Sequence, residues 1–458
     1  MQAPTRSKMS KGLPIIAFVL GVLVFGYWRA LQPKIQIASE AEIRSVLPPE
    51  LLLEPPLDMP AKQRFKQLVT LASSLDLRAV AQLGMSRSRP VARLETSRQI
   101  WQAHPNLLSD LSKLLKPGSI QYPAYHMGDM AETSAFTWLK TLSRFLRESA
   151  QFRAEQGDFQ ACVQMIGLDV RLSDQLRASD GPLITYQVAT GLGSDISRAI
   201  ATLASTRGFP ASACKLLLDV LPPSPNPDED LAKGIRSDFL SFSYKVLPDP
   251  TKSIASILSG SPSDQSLRAR DVPVGTYDAF ETAKEMGATV QTEMNNARHP
   301  LSQFDRSPLN RIKKELTGLP IGVDQGKPDG FAKSWDTLKY RVAMNNTENS
   351  IGRQVLASDA VTTSTDVEES DRWRGYRDLV RILLASRVYR ADHGGMLPDS
   401  ASDLVPLLGT WPTDPFNGKP MIYTPKKEVV YSVGKNLLDD GGQIGEFRES
   451  KDLGISLK

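Results

Sequence analysis

Residues 135–152 read AFTWLKTLSRFLRESAQF. Ala135, Leu139, Leu142, Leu146 and Ala150 recur at steps of three and four, which puts them on one face of an α-helix. Phe136, Phe145 and Phe152 widen that face into a broad apolar stripe. Gly157-Asp158 interrupts it, and Phe159, Val163, Ile166 and Val170 start a second stripe that Asp180-Gly181-Pro182 ends. Val188, Leu192, Ile196, Ala199 and Leu203 make a third, closed by Gly208 and Pro210. Long helices joined by such short connections pack as antiparallel neighbours. The sequence predicts a mainly α protein whose body is built of antiparallel α-hairpins.

The segment AEQGDFQA at 154–161 looks like the turn of a tetratricopeptide hairpin. It occurs once, with no recurrence at a period of about 34 residues, so a repeat array is not expected. Downstream, PPSPNP at 222–227 is a stop, and Asp230–Val246 reads as a further helix. Residues 247–275 are rich in Ser, Pro and Gly and predict a long loop; 277–297 is helical and 298–330 irregular. The body is therefore expected over 61–356. Five acids and no base between Asp359 and Asp371 mark 357–370 as an acidic linker.

The other decisive stretch is GLPIIAFVLGVLVFGYW at 12–28, 17 residues without a charge. Together with Ala30 and Leu31 it is long enough for a transmembrane helix, which needs about 20 apolar residues. Tyr27 and Trp28 suit the interface, and Arg29 can snorkel to the headgroups. Arg6, Lys8 and Lys11 form a basic tail over 1–11, while Glu40 and Glu42 follow the span. The positive-inside rule then puts the N-terminus in the cytoplasm and the body outside it, with 12–31 a single-pass anchor in the inner membrane. A cleaved signal peptide is the alternative, but bulky Phe25–Arg29 stands where its small-residue cleavage site belongs. A prepilin leader requires Gly-Phe and then a Glu; here Leu13 follows Gly12, and Ala17 occupies the glutamate position. Six prolines over 32–60 predict a stalk between anchor and body.

The net charge is +4 over 458 residues, with 55 Lys+Arg against 51 Asp+Glu. Five of those cations and none of the acids lie in the first 34 residues, so the remainder carries −1. A body that close to neutrality has no global cationic field for nucleic acid. Cys162 and Cys214 sit among apolar residues on predicted helices and read as buried free thiols.

Catalytic motifs are absent from the sequence. Gly84-Met85-Ser86-Arg87-Ser88 lacks the second glycine of a nucleophile elbow, and no phosphate-binding glycine loop or His-Glu-x-x-His occurs. His104, His126, His299 and His393 are scattered and read as loop residues. Glu132 with Glu148, and Glu281 with Glu285, are carboxylate pairs of the kind found on the wet face of a helix.

Residues 371–458 differ in texture. Tyr376, Val380, Leu383, Leu384 and Val388 mark a helix to about Asp392, closed by Gly394-Gly395. Leu404–Leu408 is a short helical turn, and Met421–Thr424 with Val429–Val433 reads as a β-hairpin. Within this stretch Tyr389, Gly394, Leu397-Pro398, Leu404, Trp411-Pro412, Asp414-Pro415, Pro420, Tyr423, Tyr431-Ser432-Val433-Gly434, Asp439-Asp440-Gly441-Gly442 and Asp452 follow one another in order. That order resembles the globular half of type II secretion major pseudopilins, and the resemblance covers about a fifth of the chain. The whole layout is also similar to uncharacterised bacterial envelope proteins with one anchor, an α-helical body and such a tail, entered through an Asn-Pro-x-Gly helix start. Asn349-Ser350-Ile351-Gly352 matches that start except at Ser350.

The resemblance implies a small α+β C-terminal module. It also implies a calcium site in the last loop, with Asp439, Asp440 and Asp452 as ligands and Asn436 as a fourth. The competing reading is that Asp439–Gly442 is simply a tight turn, for which Asp and Gly are suited. The function expected is that of a non-enzymatic, membrane-anchored extracytoplasmic scaffold or binding protein with a protein partner in the envelope. The alternatives are an accessory of a type II secretion or pilus-like system, and an extracytoplasmic hydrolase without a recognisable motif.

Overall fold

The three apolar stripes form three long helices. The computed structural model describes residues 34–53, 58–76, 78–80, 90–116, 118, 120, 133–179, 181–225, 228–240, 244, 247–248, 275–308, 310–311, 314, 344–443 and 452–457. In chain order the elements are β1 (Lys34–Gln36), α1 (Glu40–Val46), α2 (Met59–Ser73), α3 (Pro90–Ala103), α4 (Leu107–Leu114), α5 (Thr133–Glu155), α6 (Phe159–Ala178) and α7 (Leu183–Ser205). They continue as α8 (Ala211–Val220), α9 (Glu229–Asp238), β2 (Thr276–Asp278), α10 (Ala279–Asn296), α11 (Ser350–Asp392), α12 (Val405–Leu408), β3 (Ile422–Thr424), β4 (Val429–Ser432) and β5 (Leu453–Ser456). The protein is mainly helical, with two small sheets among the described residues. Residues 12–31 lie outside the described residues, and no described helix is long and apolar enough to cross a membrane.

The chain forms two compact units, one of residues 1–47, 244–288 and 307–359, the other of 48–243, 289–306 and 360–458. The stretch 61–356 contributes to both. In the first unit β1 pairs with β2 in parallel, Ile35 opposite Tyr277. Ser39 caps α1: its hydroxyl accepts from the Glu42 amide while Glu42 reaches back to the Ser39 amide at 2.7 Å. Over 34–53 the expectation of a proline-rich stalk is thus corrected, while 32–33 and 54–57 lie outside the described residues. Ile43 and Leu47 are buried in the first unit; at the start of the second, Leu51 is buried and Pro49 opens a short 3-10 helix, where a missing amide costs nothing.

The start of α11 is anchored within the first unit by side chains. Asn349 takes a left-handed conformation (φ 48°), and its Oδ1 accepts from the Asp278 amide at 3.0 Å. A Cβ on Gly352 would collide with Thr282 Oγ1 and Asn349 Oδ1, so only glycine fits there. Ser350 donates to the Met344 carbonyl at 2.8 Å and accepts from the Thr276 amide at 3.0 Å.

The second unit is organised by α5, α6 and α7. Gly157 (φ 78°) ends α5 with the Asp158 amide donating back to the Arg153 carbonyl at 2.9 Å. Asp158 then caps α6 by accepting from the Ala161 amide at 3.1 Å. One continuous core includes Leu139, Leu142, Phe145 and Ile166 from these helices and Leu379, Leu383, Val430 and Leu453 from the C-terminal stretch. Residues 371–458 therefore share their hydrophobic core with the hairpins.

Residues 357–370 are helical and not a linker: α11 runs unbroken from Ser350 to Asp392. The acids in that stretch come without any Gly or Pro, so nothing in it breaks a helix. Asp366 and Asp371 turn inward, Asp366 accepting both bonds from Gln187 Nε2 at 2.8 and 2.9 Å, and Asp371 pairing with Arg374. At the C-terminus β3 and β4 form the expected antiparallel hairpin, and β5 adds a third strand beside β4. Asp414 pins the hairpin from inside, accepting from the Phe416 amide, Ser432 Oγ and the Val433 amide at 2.8–2.9 Å.

Candidate functional site

Helices α5 and α7 enclose a long open groove, two adjoining cavities of about 960 and 520 Å³ that share Arg144, Arg147, Asp195 and Arg198. On α5, Lys140, Arg144 and Arg147 recur at i, i+4 and i+7, a basic edge running beside the buried stripe. On α7, Ile184 and Gly191 line the groove above the buried Val188 and Leu192, Gln187 and Ser194 stand among them, and Arg198 lies beyond. Arg372 and Glu369 of α11 line one end.

Arg147 is the fixed point of the groove. It donates to Ser143 Oγ at 2.9 Å and to Asp195 Oδ2 at 3.2 Å, and it stands 3.7 Å from Asp169 of α6. Asp169 is completely buried, with Arg147 and Ser143 as its polar neighbours. Burial pushes its pKa up to about 7, against the pull of Arg147. Glu148, expected on a wet face, is buried beside the groove because its position borders the widened stripe at Phe145 and Phe152. Glu132 and the Gly84–Ser88 segment lie outside the described residues.

A second polar constellation is sealed in the interior. Arg374, Arg377 and Arg381 repeat at i, i+3 and i+7 on α11 and donate to the carbonyls of Pro225, Pro222 and Leu221 at 3.2, 2.9 and 3.1 Å. The prolines leave that segment short of amide donors, and its carbonyls take guanidinium bonds in their place. Arg377 also grips both carboxylate oxygens of Asp174 at 2.7 and 2.9 Å. Close by, Asp228 caps α9 and accepts from Tyr186 and Ser370, all three buried. This constellation holds helices together.

The residues expected as calcium ligands come together in the turn between β4 and β5. Asp452 Oδ1 and Oδ2 accept from the amides of Asp440 and Gly442 at 3.3 and 2.8 Å. Asp439 Oδ1 accepts from Tyr431 Oη at 2.9 Å and the Gly441 amide at 2.8 Å. Asn436 turns its amide nitrogen, a donor, to Asp440 at 2.8 Å. In this arrangement the carboxylates close the turn on protein donors, and the described residues contain no group of three His, Cys, Asp or Glu side chains placed to hold a metal. Burial raises the Asp452 pKa, with Asp440 and Asp439 adding to the effect against two backbone hydrogen bonds.

His299, half-buried, and His393, exposed, lie just beyond the ends of α10 and α11, each with Nδ1 at 2.8 Å from a carbonyl four residues earlier. Cys162 and Cys214 are buried free thiols.

The chain matches no protein-family model, no curated protein and no solved structure. The groove is thus read from its own chemistry.

Proposed function

We propose that the protein is a non-enzymatic binding scaffold of the cell envelope, tethered by residues 12–31, with its folded units on the extracytoplasmic side. The observation that carries the binding role is the α5–α7 groove, an open trough walled by helices, whose shape suits a segment of another protein. The tether rests on the uncharged 12–28 stretch and the cations before it. Alkaline carbonate should leave the full-length chain in the membrane pellet, and protease added from outside should remove everything past about residue 33. Full-length protein in the soluble fraction contradicts the tether.

A second reading is an accessory role in a type II secretion or pilus-like machine. It is supported by the long helix α11 leading into the antiparallel β3–β4–β5 sheet, with Asp414, Tyr423 and Tyr431 of the resembling motif all in bonding positions. Co-purification with a secretion ATPase or prepilin peptidase tests it.

A further inference from the structure

We propose that the α5–α7 groove takes an amphipathic helix with an acidic face, contributed by a protein partner. The inference rests on the scaffold reading and specifies its ligand. One wall carries the apolar contact: Ile184 is 41% exposed, Val188 and Leu192 lie buried beneath it beside Gln187 and Ser194, and nothing lies within 4 Å of where a Cβ on Gly191 would sit. That notch lets a visiting backbone come close. The opposite wall is basic. Lys140 and Arg144 are exposed and form no ion pair among the described residues, whereas Arg147 and Arg198 share Asp195, and Arg372 holds Glu369.

Two unpaired cations one helical turn apart stand about 6 Å apart along the axis, the spacing of carboxylates at i and i+4 on a second helix. From Lys140 to Gln151 the trough runs about 16 Å along α5, which accommodates three turns. An apolar wall facing a basic one fits a ligand that is itself apolar on one side and acidic on the other. A bare phosphate would use only the basic wall.

The probe is a fluorescein-labelled helical peptide of roughly four turns, Leu on one face and Glu at i, i+4 on the other, titrated into the full chain in detergent. A Gln-for-Glu peptide, inorganic phosphate and phosphatidylglycerol vesicles are the comparison arms. The acidic peptide should bind, and the Gln peptide should bind at least about tenfold more weakly. Added salt should weaken binding, as for exposed charges. K140E/R144E and I184D should each reduce affinity about tenfold at an unchanged melting temperature, while K66E/K113E, on the α2–α4 face, should bind like the parent chain. Equal affinity for the two peptides, unaltered binding by K140E/R144E, or displacement of the peptide by phosphate or vesicles overturns the proposal. A chain that stays in the carbonate-resistant pellet yet ignores the peptide would overturn this ligand alone and leave the scaffold reading intact.

Discussion

The indole of Trp373 on α11 lies against Gly193 on α7, so close that a Cβ at 193 would collide with Nε1. Trp373 is itself fully buried, with the guanidinium groups of Arg177 and Arg377 each 5.4 Å from its ring centroid. The contact joins the hairpin bundle to the helix that carries the C-terminal sheet. Gly193→Ala should therefore lower stability by about 1–3 kcal/mol or more through overpacking. Trp373→Ala should cost about 3–5 kcal/mol. Urea denaturation followed by circular dichroism measures both, and a neutral Gly193→Ala would mean that the helices stand further apart.

Arg377 binds Asp174 through two nitrogens and also reaches the Pro222 carbonyl. Arg377 is buried but Asp174 is 22% exposed, so water screens part of the charge left behind and Arg377→Ala should cost about 1.5–3 kcal/mol. Arg377→Lys should recover little of the loss, since an ammonium cannot reproduce the planar fork. Full recovery by lysine would show that charge alone is needed.

Asp169 gives a pH dependence whose sign follows from its pKa, about 7 in the fold against an ordinary value of 3.8. The folded state binds the proton more tightly, so stability is highest below the unfolded pKa and declines as pH rises towards 7. Asp371, also pushed to about 7 by burial, and Asp366, pushed to about 6, act in the same direction. Asp169→Asn should raise the melting temperature at pH 8 and have little effect near pH 4 (about the unfolded carboxylate pKa). A variant less stable than the parent at pH 8 would mean that the ionised Asp169 is held favourably by Arg147.

Asp452 closes the terminal turn by accepting from the Asp440 and Gly442 amides. The full chain is the right object for a test, because residues 371–458 share their core with the hairpins. Millimolar calcium and chelator should give the same melting temperature, and Asp452→Ala should lower it equally in both. A rise with calcium that Asp440→Ala abolishes would establish an ion site there.

The hairpins were legible because apolar residues at helical spacing, broken by Gly157-Asp158 and Gly181-Pro182, carry their own boundaries. The C-terminal hairpin was legible for a similar reason, with short β-type runs flanking Pro425–Glu428. The remainder depends on partners distant in sequence. Nothing local announces that Lys34–Gln36 pairs with Thr276–Asp278, or that Asp366 will find Gln187. The Ser39-x-x-Glu42 capping box was available in the sequence, but the surrounding prolines pointed to an extended segment. Lys140 and Arg144 read as ordinary surface cations, since a groove exists only once α7 packs beside α5.

Site-specific photocrosslinking in intact cells tests most directly whether the α5–α7 groove is where the protein binds. A benzoylphenylalanine placed at Gly191 enters open space within the groove, and one at Leu216, exposed on α8, serves as the control. One discrete adduct is expected from position 191, lost in K140E/R144E and absent from position 216. No adduct at 191, or the same adduct from both positions, would contradict binding in the groove.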